Sequence, residues 1–316
     1  MARQNQNTEN IEGRLYQKNL EVKTVKNQSS PNFGKSFIQG TIDVATDEAC
    51  MNVIQIHYSY VAEFNKNGTE NRTYKDLKRI IESGKTVVED GAENATKVRC
   101  TPSAALNDFF PKDATEVVSS PRHEGGFVSI VNTLKPEGID RNKFTFDALI
   151  TNVVHVDADS EKNIDEDYAQ IRCAIFAYGN KILPYTLVIR NPEGMKWFEN
   201  LGATPSTPVY LNLWGKIVNR SVNTTVEVAS AFGGPAVDTV VRRVREWEVT
   251  GAKPTPYDFG DPSVLTAEEV QNMLAERNIY LEEQKKRSQE YYSGASTAAA
   301  SVNTGGTTAV PGSFNF

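Results

Sequence analysis

Only three cysteines and three histidines occur in 316 residues, and neither set clusters. Cys50, Cys100 and Cys173 are far apart and odd in number, which argues against a disulfide framework. His57, His123 and His155 are equally scattered, and no CxxC or HxxxH spacing exists to hold zinc. No stretch approaches the ~20 apolar residues that span a bilayer. The opening MARQNQNTENIEG lacks the apolar core of a secretory signal, so the expected compartment is the cytoplasm. GxxxxGK[ST], GxGxxG and GxSxG are all missing, so neither a cofactor nor catalysis is expected.

Hydrophobic residues are also scarce, at 39%. Two small cores with polar loops and tails fit that figure, and the length prior of about 100–200 residues per domain agrees. The net charge is −6, but its distribution matters more than its sum. Six acids of residues 143–252 crowd between Asp157 and Asp167, with only Lys162 to offset them. Their spacing does not match an EF-hand loop, so a solvated acidic loop is the expectation. The rest of that region is basic, and the local field guides a phosphate backbone.

The second half reads most clearly. KFTFDALITNVVHV (143–156) is a β-rich run. In YAQIRCAIFAYG (168–179), Ala169, Ile171, Cys173, Ile175 and Ala177 alternate with larger or polar residues, the period of a half-buried strand. ILPYTLVIR (182–190) follows. NPEGMKWFENLG is a short helix, with Pro192 in its first turn and Gly202 at its end. TPVYLNLWGKIVNRSV (207–222) puts Val209, Leu211, Leu213 and Ile217 on one face. A flexible stretch at Phe232-Gly233-Gly234-Pro235 precedes the last strand, VDTVVRRVREWEVTG (237–251). Three strands, a helix and two strands is the order of the oligonucleotide/oligosaccharide-binding barrel, and closure removes the exposed sheet edges.

The first half repeats that order more loosely. Strands are expected at 35–46 and 51–64, with Gly40 at a bend or bulge, then a helix over 73–84, then strands at 96–100 and 125–134. The third strand either precedes the helix or is lost in a loop. Tyr58 and Tyr60 extend the Ile54/Ile56 face and read as core. The predicted architecture is mainly β, with two consecutive five-stranded barrels, a C-terminal helix and a disordered tail. Residues 1–33 form a partly extended N-terminal segment, 34–142 the first barrel and 143–252 the second. Residues 253–292 form a Pro-rich linker and helix, with Thr266 and Glu269 as a capping box and Val270, Met273, Leu274 and Leu281 as a narrow apolar stripe. Residues 293–316 are an uncharged low-complexity tail.

GKSFIQGTIDVA, VYLNLWGKIVN, VRRVREWEVTGA and TAEEVQNMLAERNIYLEEQKKR carry a likeness over roughly residues 14–292. In them the chain resembles single-stranded DNA-binding proteins of the kind tailed phages encode among their replication proteins. The resemblance implies a two-barrel protein that coats exposed strands during replication or recombination, in the host cytoplasm if phage-encoded. It also implies contact with replication proteins through the tail. Bacterial members end in an acidic tip with a terminal Phe; here Phe316 is terminal, but no acid follows Glu290.

Binding a single strand needs cations for phosphates and aromatic faces for unstacked bases. One strand face offers Tyr168, Arg172, Phe176 and Tyr178. Another offers Tyr210, Trp214, Lys216 and Arg220, opposite the apolar Leu211/Leu213 face. The last strand adds Arg242 and Arg245, while Trp247 shares a face with Val241 and Val249 and reads as core. The competing reading is a structural or protein-interaction protein, a virion component or replication scaffold, that uses the barrels as docking surfaces.

Overall fold

The computed structural model describes residues 5–159, 164–179, 181–228, 232, 236–259, 261 and 264–301; for 222–228, 236–242 and 294–301 it describes the backbone alone. Ten strands form one continuous sheet that closes on itself twice. The first ring contains β1 (Asn7–Thr24), β2 (Ser36–Ala45), β3 (Val53–Ala62), β4 (Lys97–Phe109) and β5 (Val118–Ile130). The second contains β6 (Asn142–Val156), β7 (Tyr168–Ala177), β8 (Lys181–Ile189), β9 (Val209–Val228) and β10 (Ala236–Ala252). Strands pair in the order β1-β2-β3-β5-β4-β1 and β6-β7-β8-β10-β9-β6. In each ring the third and fifth strands run parallel and the other neighbours antiparallel. This is the expected barrel topology, present twice.

Helices occupy the equivalent connections. Helix α1 (Arg72–Ser83) joins β3 to β4, followed by the short α2 (Val87–Asp90), and α3 (Pro192–Asn200) joins β8 to β9. Each longer helix starts on an Asn cap, Asn71 or Asn191, whose side chain accepts a backbone N–H. The α1 carbonyls end on Lys18, whose Nζ donates to Ile80, Ile81 and Gly84 oxygens at 2.8–3.1 Å. Leu77 and Ile80 of α1, and Met195 and Phe198 of α3, pack into a core cluster that runs unbroken through both barrels.

The first strand lies within the segment expected outside the barrel. Half of β1 pairs with β2, from Arg14↔Ala45 to Thr24↔Ser36. Its other half pairs with β6, from Asn7↔Phe146 to Ile11↔Asn142, and so joins the barrels. The run at 51–64 is therefore the third strand, and none is lost. Glu9 and Glu12 are fully or nearly fully buried, which breaks the apolar alternation by which a strand is recognised. Gly13 breaks it again: a Cβ there would lie 1.9 Å from the Ala45 oxygen, so the crossing of β1 over β2 requires glycine.

Helix α4 (Ala267–Ser301) starts on the expected capping box and extends beyond Tyr292. The low-complexity segment is helical as far as Ser301, and the rest of the expected tail, 302–316, lies outside the described residues. Val270 and Met273 are buried, Leu281 is half-buried and Leu274 is 39% exposed. Further along, Arg277 forks onto Asp108 of β4 at 3.0 and 3.2 Å. Ser288 donates to the Phe110 oxygen at 2.9 Å, so the helix straps the second barrel to the first.

Candidate nucleic-acid interface

Small barrels of this topology present ligands to the outer face of their second and third strands and to the neighbouring loops. On the first barrel that face carries Phe37 and Tyr60, whose rings stack at 4.7 Å with 29° between planes. Tyr60 is 46% exposed, not core. A β-bulge explains the difference. Ile38 pairs with Val61 and Gly40 with Tyr58, so Ser59 and Tyr60 together oppose Gln39. The extra residue changes the alternation, sending Tyr58 inward and Tyr60 outward. Gly40 permits it with φ +129, where a Cβ would lie 2.0 Å from the Asn19 oxygen.

The walls of this face carry charge. The β1–β2 loop brings exposed Lys26, Phe33 and Lys35 to one end. From the other side comes the long β9–β10 arm of the second barrel. The Asn52 side chain, in the β2–β3 turn, donates to the Ile217 oxygen at 3.1 Å and accepts the Asn219 N–H at 2.6 Å. Beyond that tether Arg243 and Arg245 are exposed, and Arg243 is close enough to Asp43 of β2 to act on its charge. Burial pushes the Asp43 carboxyl up, while Gln55, His57 and Arg243 oppose that rise. Burial, helped by Arg122, holds His57 below its usual value.

The ten residues expected from the sequence do not form one site. Tyr168, Lys216 and Arg220 line a groove of about 740 Å³ between the second barrel and the β2–β3 turn of the first. Asp47, Glu137, Asp165, Glu166, Glu246 and Glu248 line it too, so acids outnumber bases. Lys216 is held by Glu248 at 3.0 Å, and Arg190, which lies over the Tyr168 ring at 5.5 Å, by Glu166 and Glu246. Arg172 is exposed on β7, and Arg245 on the arm. Tyr178 is 97% exposed at the β7–β8 turn. The Arg242 side chain lies outside the described residues, as do positions 160–163 of the acidic loop.

Phe176 and Tyr210 are corrected: both are buried, at 2% and 1% exposure. Their strand face was read correctly, since they point out of the barrel together with Leu149 and Ile182. The C-terminal segment then folds back and covers that face with Tyr257, Phe259, Val264, Val270 and Met273. The Tyr210 hydroxyl donates to the Asn5 side chain. Trp214 is half-buried against Gly251, where a Cβ would lie 2.7 Å from its ring. Trp247 is core, as expected. Phe37, Phe33 and the β1–β2 lysines were missed; GKSF with an upstream Lys/Phe-bearing loop was the available signal.

Among the described residues no group of three or more His, Cys, Asp or Glu side chains is placed to hold a metal ion. No helix there is long and apolar enough to cross a membrane. A search of curated proteins finds no match. Two solved structures of the single-stranded DNA-binding protein from Thermus aquaticus are similar. The wild type is 10% identical with a TM-score of 0.43, covering 81% of this chain and 96% of that one. A deletion mutant is 12% identical with a TM-score of 0.41, covering 82% and 98%. Likeness at this level leaves the barrel topology to rest on the strand pairing itself. The family model YorF matches residues 5–287, and the chain belongs to the YorF family.

Proposed function

We propose that this protein binds single-stranded DNA without sequence preference and without catalysis. The supporting observation is the stacked ring pair of half-buried Phe37 and exposed Tyr60 on the ligand face of a closed barrel. It lies between a Lys/Phe-bearing loop and an arm bearing Arg243 and Arg245. Rings of this kind stack on any base, and the flanking cations track phosphates, which makes binding tolerant of sequence. On the second barrel, Tyr168 and Arg172 occupy the equivalent face of β7. The setting suggested by the resemblance in the sequence is phage-type replication or recombination in the cytoplasm, where exposed strands need a coat. Replication proteins are the proposed partners of the C-terminal tail.

The test is fluorescence anisotropy of labelled oligo-dT titrated with the full chain at several salt concentrations. Affinity should fall linearly on a log–log plot, with a slope of about −0.7 per phosphate contact. A duplex of equal length should bind more weakly. Absence of oligo-dT binding even at low salt would remove this reading.

A further inference from the structure

The pairing of β1 with β6 has placed a row of side chains across the seam between the barrels. Lys216 pairs with Lys143, and Lys143 with Asn10. The register that sets Ile11 against Cys100 sets Asn10 against Thr101, and Thr101 pairs with Phe127. Paired residues point to the same side of a sheet. The next residues along these strands, Phe144, Ile11, Cys100 and Val128, are buried at 0–1% exposure. The row therefore faces outward, over five strands and both barrels. Adjacent strands are about 4.8 Å apart, so it spans roughly 19 Å.

We infer that this row is the bridge by which a bound single strand crosses from one barrel to the other; the inference rests on the single-strand reading above. Phe127 is 68% exposed in mid-strand, where a large apolar side chain gains nothing from water. It offers a ring face to a base. Lys143 offers a cation toward the far end, Lys216 beside it is paired with Glu248 at 3.0 Å, and Asn10 and Thr101 lie between as neutral polar groups. The acids nearest the row are already engaged: Glu12 by Arg99 at 2.6 Å, and Glu248, which pairs with Lys216 from β10, by Lys216 at 3.0 Å, so those two cancel and Lys143 is left as the net charge of the row. That single cation suits one phosphate, and the Phe127 ring suits one base. A protein partner would call for a contiguous apolar patch, and here a single ring stands among polar neighbours.

The experiment uses the full chain carrying Phe127→Ala or Lys143→Gln, with Lys196→Gln on α3 as control. Anisotropy is read with a short oligo-dT that fits one barrel and a long one that reaches both. For the long strand, Phe127→Ala should weaken binding by about 5- to 100-fold, the effect of one lost base stack. Lys143→Gln should flatten its salt slope by about 0.7, one lost phosphate contact. The short strand and the control should behave as the unmodified chain, and melting temperatures should not change. If both variants bind the long strand with unaltered affinity and slope, the bridge is wrong and the single-strand reading stands. If the unmodified chain binds neither strand, both readings fall.

Discussion

The indole N–H of Trp247 donates to Glu9 at 2.7 Å, and the other oxygen of the same carboxyl meets Nδ1 of His123 at 2.7 Å. All three side chains are buried, and they come from β10, β1 and β5. One carboxyl therefore ties the second barrel to the first, through a strand that belongs to both pairings. Trp247→Phe keeps an aromatic ring but removes the donor. A buried acceptor left without its partner costs about 1–3 kcal/mol. The predicted loss should appear as a lower urea midpoint. Combining Trp247→Phe with Glu9→Leu should cost less than the two separate losses together, because each removes the same bond. Strict additivity would mean that the two residues act independently.

Phe37→Ala with Tyr60→Ala should separate affinity from stability. The rings stack on each other on an exposed face, so their removal should leave the melting temperature within a few degrees. Loss of two overlapping base stacks should weaken oligo-dT binding by roughly 10- to 100-fold. A large drop in melting temperature with intact affinity would assign the pair to the fold.

What the sequence revealed followed from alternation. Leu211, Leu213 and Ile217 set the inner face of β9, and Trp247 was correctly read as core. Alternation failed where something other than the strand's own pattern decided the outcome. At Glu9 a buried acid sits on the inner face because Trp247 and His123 satisfy it, and at Glu12 one is buried on the outer face by Arg99 and the Lys135 N–H. At Tyr60 a one-residue bulge moves the ring outward. At Tyr210 and Phe176 the outward face was right, but the segment from Tyr257 to Met273, distant in sequence, covers it. None of these is a local property of the sequence around the residue concerned.

That covering yields the third prediction. Tyr210→Ala should cost stability by about 3–5 kcal/mol, as large buried aromatics do, and should loosen α4. Hydrogen exchange in the first turns of α4 should rise, because Val270 and Met273 lose their support. Oligo-dT affinity per folded molecule should stay the same. Weakened binding with unchanged exchange in α4 would place Tyr210 on the ligand face after all.

Glu12 gives the chain a predictable response to acid. Its side chain is nearly fully buried, and burial pushes the carboxyl up. The hydrogen bonds from Arg99 Nε and the Lys135 N–H, both at 2.6 Å, outweigh that effect and hold it below its usual value. A carboxyl with a depressed value in the folded state stabilises fully above the unfolded value, about 4.3 for glutamate. That contribution is lost as pH falls through the usual range toward the folded value, because the unfolded chain takes up the proton first. Glu12→Gln lacks this contribution at every pH. The difference in urea midpoint between the unmodified chain and Glu12→Gln should therefore be constant near neutrality and shrink on acidification toward pH 3. A difference that widened in acid would require the folded-state value to be raised, with burial dominating over Arg99.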